Sequence, residues 1–383
     1  MKQALVGARI FTGDQFLDNR AVVIEGANII SLPENDNVVQ SYPDAEIIEL
    51  DGGIIAPGFI DLQVNGGGGA FFTNDTSVSA LQSMLDGHRP TGTTSMLPTL
   101  ISDTRTTHQA GVKAVADAVD ARMQGILGIH IEGPFFDMDK RGAHNAKYIR
   151  EIEDEDMQWL TAIEGFKIMV TLAPEHAASG QIKRLVDSGI FVAAGHTNAH
   201  YEDVMLAIDE GLSGFTHLFN AMRPQTGREP GVVGAALDSA NTWCGIICDN
   251  HHVHPGSVRV AMNAKPLGKL YLVTDAMSTV GGEQKSFTIY GEEIFEKDGA
   301  LVNAEGNLAG SAIGMIDAVR IAHQAIGISL SECLRMASLY PAQYMRLNQS
   351  LGRIDDNYRA DLVHFTNDFN VTATWVAGDY KQH

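Results

Sequence analysis

The chain has 383 residues, 44% of them hydrophobic and 19% charged, a balance that supports a large folded core and excludes a disordered or low-complexity chain. A formal charge of −20 works against any sequence-independent grip on nucleic acid or an anionic membrane, so a bound phosphate must be held by local cations. Three cysteines, Cys244, Cys248 and Cys333, are too few for a disulfide framework and read as buried thiols in a reducing compartment. No leader-like segment opens the chain and no stretch approaches the ~18 apolar residues of a membrane span. The expectation is a cytoplasmic protein without nucleic-acid or membrane partners.

Residues 1–55 contain short β-like runs, ALVGARIF, AVVIEGANII and AEIIELDG, separated by Gly and Asn as hairpins require. From Ile54 onward eight apolar runs alternate with helical stretches: IIAPGFIDLQV, TTSMLPTL, ILGIHIEG, KIMVTLAPE, IFVAAGHT, GFTHLFN, CGIICDNHH and KLYLVTDAM. Continuous apolar strands alternating with helices predict a parallel sheet covered on its outside, and eight such units suit a closed barrel. After residue 345 the texture is β-like again in LGRIDDNYRADLVHF and TATWVAGD. The predicted fold is therefore α/β, a (β/α)8 TIM-like barrel over residues 56–345. Residues 1–55 and 346–383 would form the two parts of a small composite β domain.

Polar side chains fall at the C-terminal ends of the predicted strands. Gln63 and Asn65 end the first, Glu132 the third, His196 the fifth, His217 the sixth, His251 and His252 the seventh, and Asp275 the eighth. In a barrel these ends meet at one mouth, where such folds place their active sites. A single His on an apolar strand is normally a satisfied core residue, but several ionisable groups at successive strand ends would each need a buried partner. Glu132, His196 and His217 offer one carboxylate and two imidazoles, a ligand set that suits catalytic zinc with an open fourth position and also accepts iron, manganese or cobalt. Asp275 would then take the proton of the activated water. The Gly66–Gly69 run lacks the Lys-Ser/Thr of a phosphate-binding loop and reads as a flexible turn near the site.

At these residues the sequence resembles the amidohydrolase superfamily, and within it the N-acetylglucosamine-6-phosphate deacetylase family. The motifs are PGFIDLQVNGGGG (57–69), HIEGPF (130–135), RGAHN (141–145), GHTNA (195–199), THLFNAM (216–222), DNHHV (249–253), VTDAM (273–277) and LAGS (308–311), in family order over nearly the whole chain. The resemblance implies a hydrolase that releases acetate from a phosphorylated N-acetyl amino sugar, in amino-sugar catabolism or cell-wall recycling. It implies one divalent metal ion per subunit, zinc first, held by Glu132, His196 and His217, with Asp275 as catalytic base and then acid. His144 would lie at the acetyl carbonyl. Substrate contacts are implied for Ala143, Asn220, Ala221, Arg228, Asp249, Asn250, His251, His252, Leu308, Ala309 and Gly310, with Arg228 and His252 at the phosphate. It further implies a homodimer or higher oligomer, with one phosphate contact crossing the subunit interface.

Many members of the superfamily carry His-x-His after the first strand for a second metal. Here those vestigial positions are Gln63 and Asn65, whose amides are poor ligands for a transition metal, so a one-metal site is expected. Two other readings compete: an amidohydrolase acting on a different amide, and a non-catalytic relative on the same barrel.

Overall fold

A computed structural model describes residues 2–297 and 299–383. At its centre lie eight parallel strands, hydrogen-bonded in chain order: Phe59–Val64, Thr93–Leu100, Gly128–Glu132, Lys167–Leu172, Phe191–Ala194, Gly214–Phe215, Trp243–Ile247 and Leu270–Val273. Apart from Lys167 and Trp243 at strand starts, every residue in them is buried, which is why they read as unbroken apolar runs. The eighth strand returns to the first at the C-terminal end: Asp275 N–H donates to the Gln63 carbonyl at 3.0 Å, and Ala276 pairs in parallel with Val64. The barrel is thus closed at the mouth that carries the polar residues.

Helices cover the outside because each parallel crossover needs one. Their starts are set locally: Ser77 Oγ accepts from Ala80 N for helix Val78–His88, and Thr104 Oγ1 accepts from Thr107 N for helix Arg105–Asp120, both at 3.1 Å. Helix Gly231–Asp238 ends on a buried cation, Lys265, whose Nζ donates to the carbonyls of Ala236 and Ser239 at 2.8 and 2.6 Å.

Two further sheets flank the barrel. A six-stranded sheet runs Asp379–Gln382, Val371–Val376, Leu362–Phe365, Ile54–Pro57, Arg9–Phe11, Phe16–Leu17. It joins the two ends of the chain through the antiparallel pairing of Leu362–Phe365 with Ile54–Pro57. A four-stranded sheet holds Asn28–Ser31, Val22–Glu25, Lys2–Val6 and Glu46–Glu49. Their shared core includes Leu5, Ile24, Ile55, Leu362 and the fully buried Trp375, whose indole N–H donates to Gln3 Oε1 at 3.2 Å.

The structure splits one predicted run, details one predicted turn and adds one sheet that the pattern did not predict. The run IIAPGFIDLQV is two strands, Ile54–Pro57 in the outer sheet and Phe59–Val64 in the barrel. Gly58 is the pivot: a Cβ there would lie 2.2 Å from Thr94 Oγ1, so only glycine lets the chain cross so close to the second strand. The glycine run after the first strand is a small hairpin, Gly66–Gly67 against Ala70–Phe71, tied down by His88 Nε2 at 2.8 Å from the Gly66 carbonyl. Finally, a three-stranded antiparallel sheet of Ser286–Ile289, Glu292–Lys297 and Ala300–Val302 is inserted after the eighth barrel strand. Its Ile289, Ile294 and Leu301 pack with Phe71, Ile101 and Met277, roofing the barrel mouth.

Removing the largest side chain of the outer core tests how far those sheets depend on it. Trp375→Ala should cost about 3–5 kcal/mol, read as a lower midpoint of denaturation by urea. An unchanged midpoint would show that the outer sheets do not unfold with the measured transition.

Candidate active site

Glu132 ends the third barrel strand, His196 and His217 follow the fifth and sixth, and Asp275 follows the eighth. His196, His217 and Asp275 all have left-handed backbone, with φ of 50°, 33° and 53°. Such conformations cost about 1–3 kcal/mol each in a residue other than glycine and must be imposed by neighbours. The result is a tight cluster: His217 Nε2 lies 3.1 Å from Glu132 Oε1 and 3.0 Å from His196 Nε2, and His196 Nε2 lies 3.3 Å from the same carboxylate oxygen.

The donor set fits a metal. His196 Nδ1 sits 2.9 Å from the Lys140 carbonyl, which can only accept, so Nδ1 carries the proton and Nε2 turns a lone pair into the cluster. With metal–ligand bonds of ~2.0–2.1 Å, a tetrahedral site has ligand–ligand edges of about 3.3 Å, close to the three separations observed. Burial alone would push the Glu132 carboxyl up, but the His196 and His217 imidazoles beside it hold it well below the usual carboxylate range. Asp137, Glu175 and His176 form a second group of potential ligands, but they are engaged with protein: His176 Nε2 meets Asp137 Oδ2 at 3.0 Å, and Glu175 accepts from Thr197 Oγ1 and from Asn198 N.

Gln63 and Asn65 act as hydrogen-bond donors. Gln63 Nε2 lies 3.1 Å from both Glu132 oxygens and from Asp275 Oδ1, and Asn65 Nδ2 lies 2.6 Å from Asp275 Oδ1. Two neutral amides thus orient both carboxylates without adding charge. Burial, reinforced by the nearby Glu132 charge, pushes Asp275 up to about 7. Its Oδ1 is occupied by the amides, which leaves Oδ2 for a ligand.

A cavity of about 190 Å³ opens onto this cluster. Among the residues expected at the substrate, Ala143, His144, Asn220, Ala221, His252, Leu308 and Gly310 line it. Five others do not. The carboxylate of Asp249 faces its own chain, accepting from His251 N, His252 N and His252 Nδ1 at 2.8, 2.8 and 2.6 Å, so it orients His252 rather than touching a ligand in this cavity. Asn250 and His251 are exposed. Ala309 faces the adjoining space under the inserted sheet. Arg228 is exposed on the rim loop, and among the described residues nothing pairs with its guanidinium; Glu229 bonds His200 and the main chain of Tyr201 and Gly231 instead.

The structure also adds residues that sequence reasoning passed over. Asp61, fully buried, accepts from Gln63 N and from the main chain and hydroxyl of Thr274, so it shapes the turns that present both Gln63 and Asp275. Glu175 grips the Thr197–Asn198 backbone just after His196. Ser102 holds His144. A carboxylate inside the apolar strand FIDLQV was a readable signal for Asp61; Glu175, in the short 3-10 turn Pro174–His176, and Ser102, in a loop, carried none.

The sequence profile of the Amidohydrolase family matches residues 54–380. The N-acetylgalactosamine-6-phosphate deacetylase of Shewanella sp. (strain ANA-3) is 41% identical over 376 residues, covering 97% of this chain and 94% of that protein. The N-acetylglucosamine-6-phosphate deacetylase of Haemophilus influenzae is 36% identical over 392 residues, covering 100% of both. The crystal structure of N-acetylglucosamine-6-phosphate deacetylase from Pasteurella multocida superposes with a TM-score of 0.96 at 38% identity over 100% of both chains. With the profile spanning most of its length, and with deacetylases this similar covering nearly all of it, the chain belongs to the amidohydrolase family.

Proposed function

We propose that this protein hydrolyses N-acetyl-D-glucosamine 6-phosphate to D-glucosamine 6-phosphate and acetate, with one divalent ion, zinc first, at Glu132, His196 and His217. The observation that carries the reading is the convergence of those three ligands and Asp275 on one cavity, in a chain whose full-length relatives are deacetylases of amino-sugar phosphates. The chemistry such an ion supplies when bound is polarisation of a carbonyl and a lowering of the pKa of water from ~15.7 toward ~7.

The chain's own residues do the rest. Asp275 Oδ2 takes the proton of the attacking water and returns it to the leaving amine nitrogen, while Gln63 and Asn65 hold Oδ1 still. His144, buried at the cavity wall, meets the acyl oxygen as it gains charge. His252, fixed through Nδ1 by Asp249, leaves Nε2 for the phosphate end of the ligand. Arg228 on the rim completes the phosphate site, in its own chain or across a homodimer. Operation in the cytoplasm accords with three buried free thiols.

A second reading concerns the sugar. The 41% identical Shewanella relative acts, by its name, on the galacto epimer, so N-acetyl-D-galactosamine 6-phosphate is the competing substrate. Acetate release from both epimers under equal conditions decides between them, and release from neither overturns the reading.

Three outcomes are expected. Purified enzyme should carry about one divalent ion per chain and lose activity to a chelator; two ions, both needed for turnover, would contradict the donor roles of Gln63 and Asn65. Asp275→Asn should retain metal and substrate while kcat falls by ~10²–10⁴-fold, and near-normal turnover would move the base elsewhere. Arg228→Ala should raise KM for the phosphorylated sugar at least tenfold, consistent with roughly 1.5–3 kcal/mol for a charge-assisted hydrogen bond. The same variant should barely alter use of unphosphorylated N-acetylglucosamine; equal losses on both would show that Arg228 is structural.

A further inference from the structure

His144 is held from one side only. Its Nδ1 lies 3.2 Å from the main-chain nitrogen of Ser102 and 2.8 Å from Ser102 Oγ. A main-chain N–H can only donate, so Nδ1 presents its lone pair. The hydroxyl, facing the same lone pair, must donate as well, because two opposed lone pairs at that distance repel. A neutral imidazole whose Nδ1 is bare carries its one proton on Nε2, the nitrogen for which the described residues provide no partner, in a ring that lines the cavity.

Ser102 is itself locked. Its carbonyl accepts from the Tyr290 hydroxyl, delivered by the turn between the first two strands of the inserted sheet. Gly133 leaves the room it needs, since a Cβ at that position would lie 2.3 Å from Ser102 Oγ. The ring of Phe136 stands edge-on to His144, centroids 4.9 Å apart and planes at 81°. The imidazole is thus fixed in position, orientation and tautomer by groups outside the cavity wall.

We propose that Ser102 is a positioning residue that sets His144 as the Nε2–H tautomer, so that the cavity meets an acyl oxygen with a hydrogen-bond donor. This rests on the deacetylase reading for the identity of the acyl group, but the tautomer itself does not. Tyr290 extends the same control to the inserted sheet, making that sheet part of the apparatus that orients His144.

The test uses zinc-loaded enzyme with ¹⁵N-labelled histidine, the His144 signals assigned by their loss in His144→Gln. The wild-type spectrum should show a pyridine-like Nδ1 and a pyrrole-like Nε2 for His144, and the reverse pattern overturns the proposal without any Ser102 variant. In Ser102→Ala the main-chain N–H still faces Nδ1, so the tautomer should hold while the Nδ1 signal moves toward that of a pyridine-like nitrogen with fewer hydrogen bonds, with kcat down by about tenfold and KM nearly unchanged. Ser102→Thr, which restores the hydroxyl, should recover the wild-type signals. A Ser102→Ala protein with wild-type shifts and wild-type kcat overturns the role of the hydroxyl. Absence of acetate release from the wild type, with the tautomer as stated, would overturn the deacetylase reading alone.

Discussion

Three electron-rich atoms, one carboxylate oxygen and two imidazole nitrogens, are held 3.0–3.3 Å apart in the buried mouth of the barrel, and much of the surrounding structure exists to keep them there. Unpaired, such a cluster is costly, because burial removes the water that would otherwise solvate the charge. A cation between them turns the cost into binding energy. The parallel barrel makes this possible: strand ends far apart in sequence come to one rim, so ligands from the third, fifth and sixth strands can share a point.

Two of the three ligands, His196 and Glu132, are held by hydrogen bonds from outside the cluster. His196 depends on the Lys140 carbonyl for its ring and on Glu175 for the backbone that follows it. Glu132 and Asp275 are bridged by the Gln63 amide, and the turns that carry Gln63 and Asp275 are both tied to Asp61. As neutral donors, Gln63 and Asn65 hold the two carboxylates in place without adding charge, so burial and the Glu132 charge raise the proton affinity of Asp275.

The same economy governs ligand recognition. A chain with a net charge of −20 cannot attract a phosphorylated sugar by its overall field, so selection falls to short-range groups. The proposed phosphate site would draw on His252, held at the cavity wall by Asp249, and on the exposed Arg228, whose guanidinium is unpaired among the described residues. The inserted sheet closes the other side through Ile289 and, by way of Tyr290 and Ser102, reaches His144.

By itself the sequence determined the barrel and the cluster at its mouth. Parallel strands buried on both faces must be continuously apolar, so Glu132, His196, His217 and Asp275 stand out where those runs end. Gln63 and Asn65 were legible for the same reason. Tertiary structure alone decided what lies between the runs. Gly58 splits the first apolar run into strands of two sheets, because a side chain there would strike Thr94. Asp249, Asn250 and His251 share a motif with His252, yet only His252 reaches the cavity, because the Asp249 carboxylate turns back onto its own loop. The partners Glu175, Ser102 and Tyr290 are separated by tens to hundreds of residues from the groups they hold, as Asp61 is from Thr274, and such long-range hydrogen bonds leave no periodicity in a sequence. They are set by three-dimensional proximity, which only the closed barrel and its inserted sheet create.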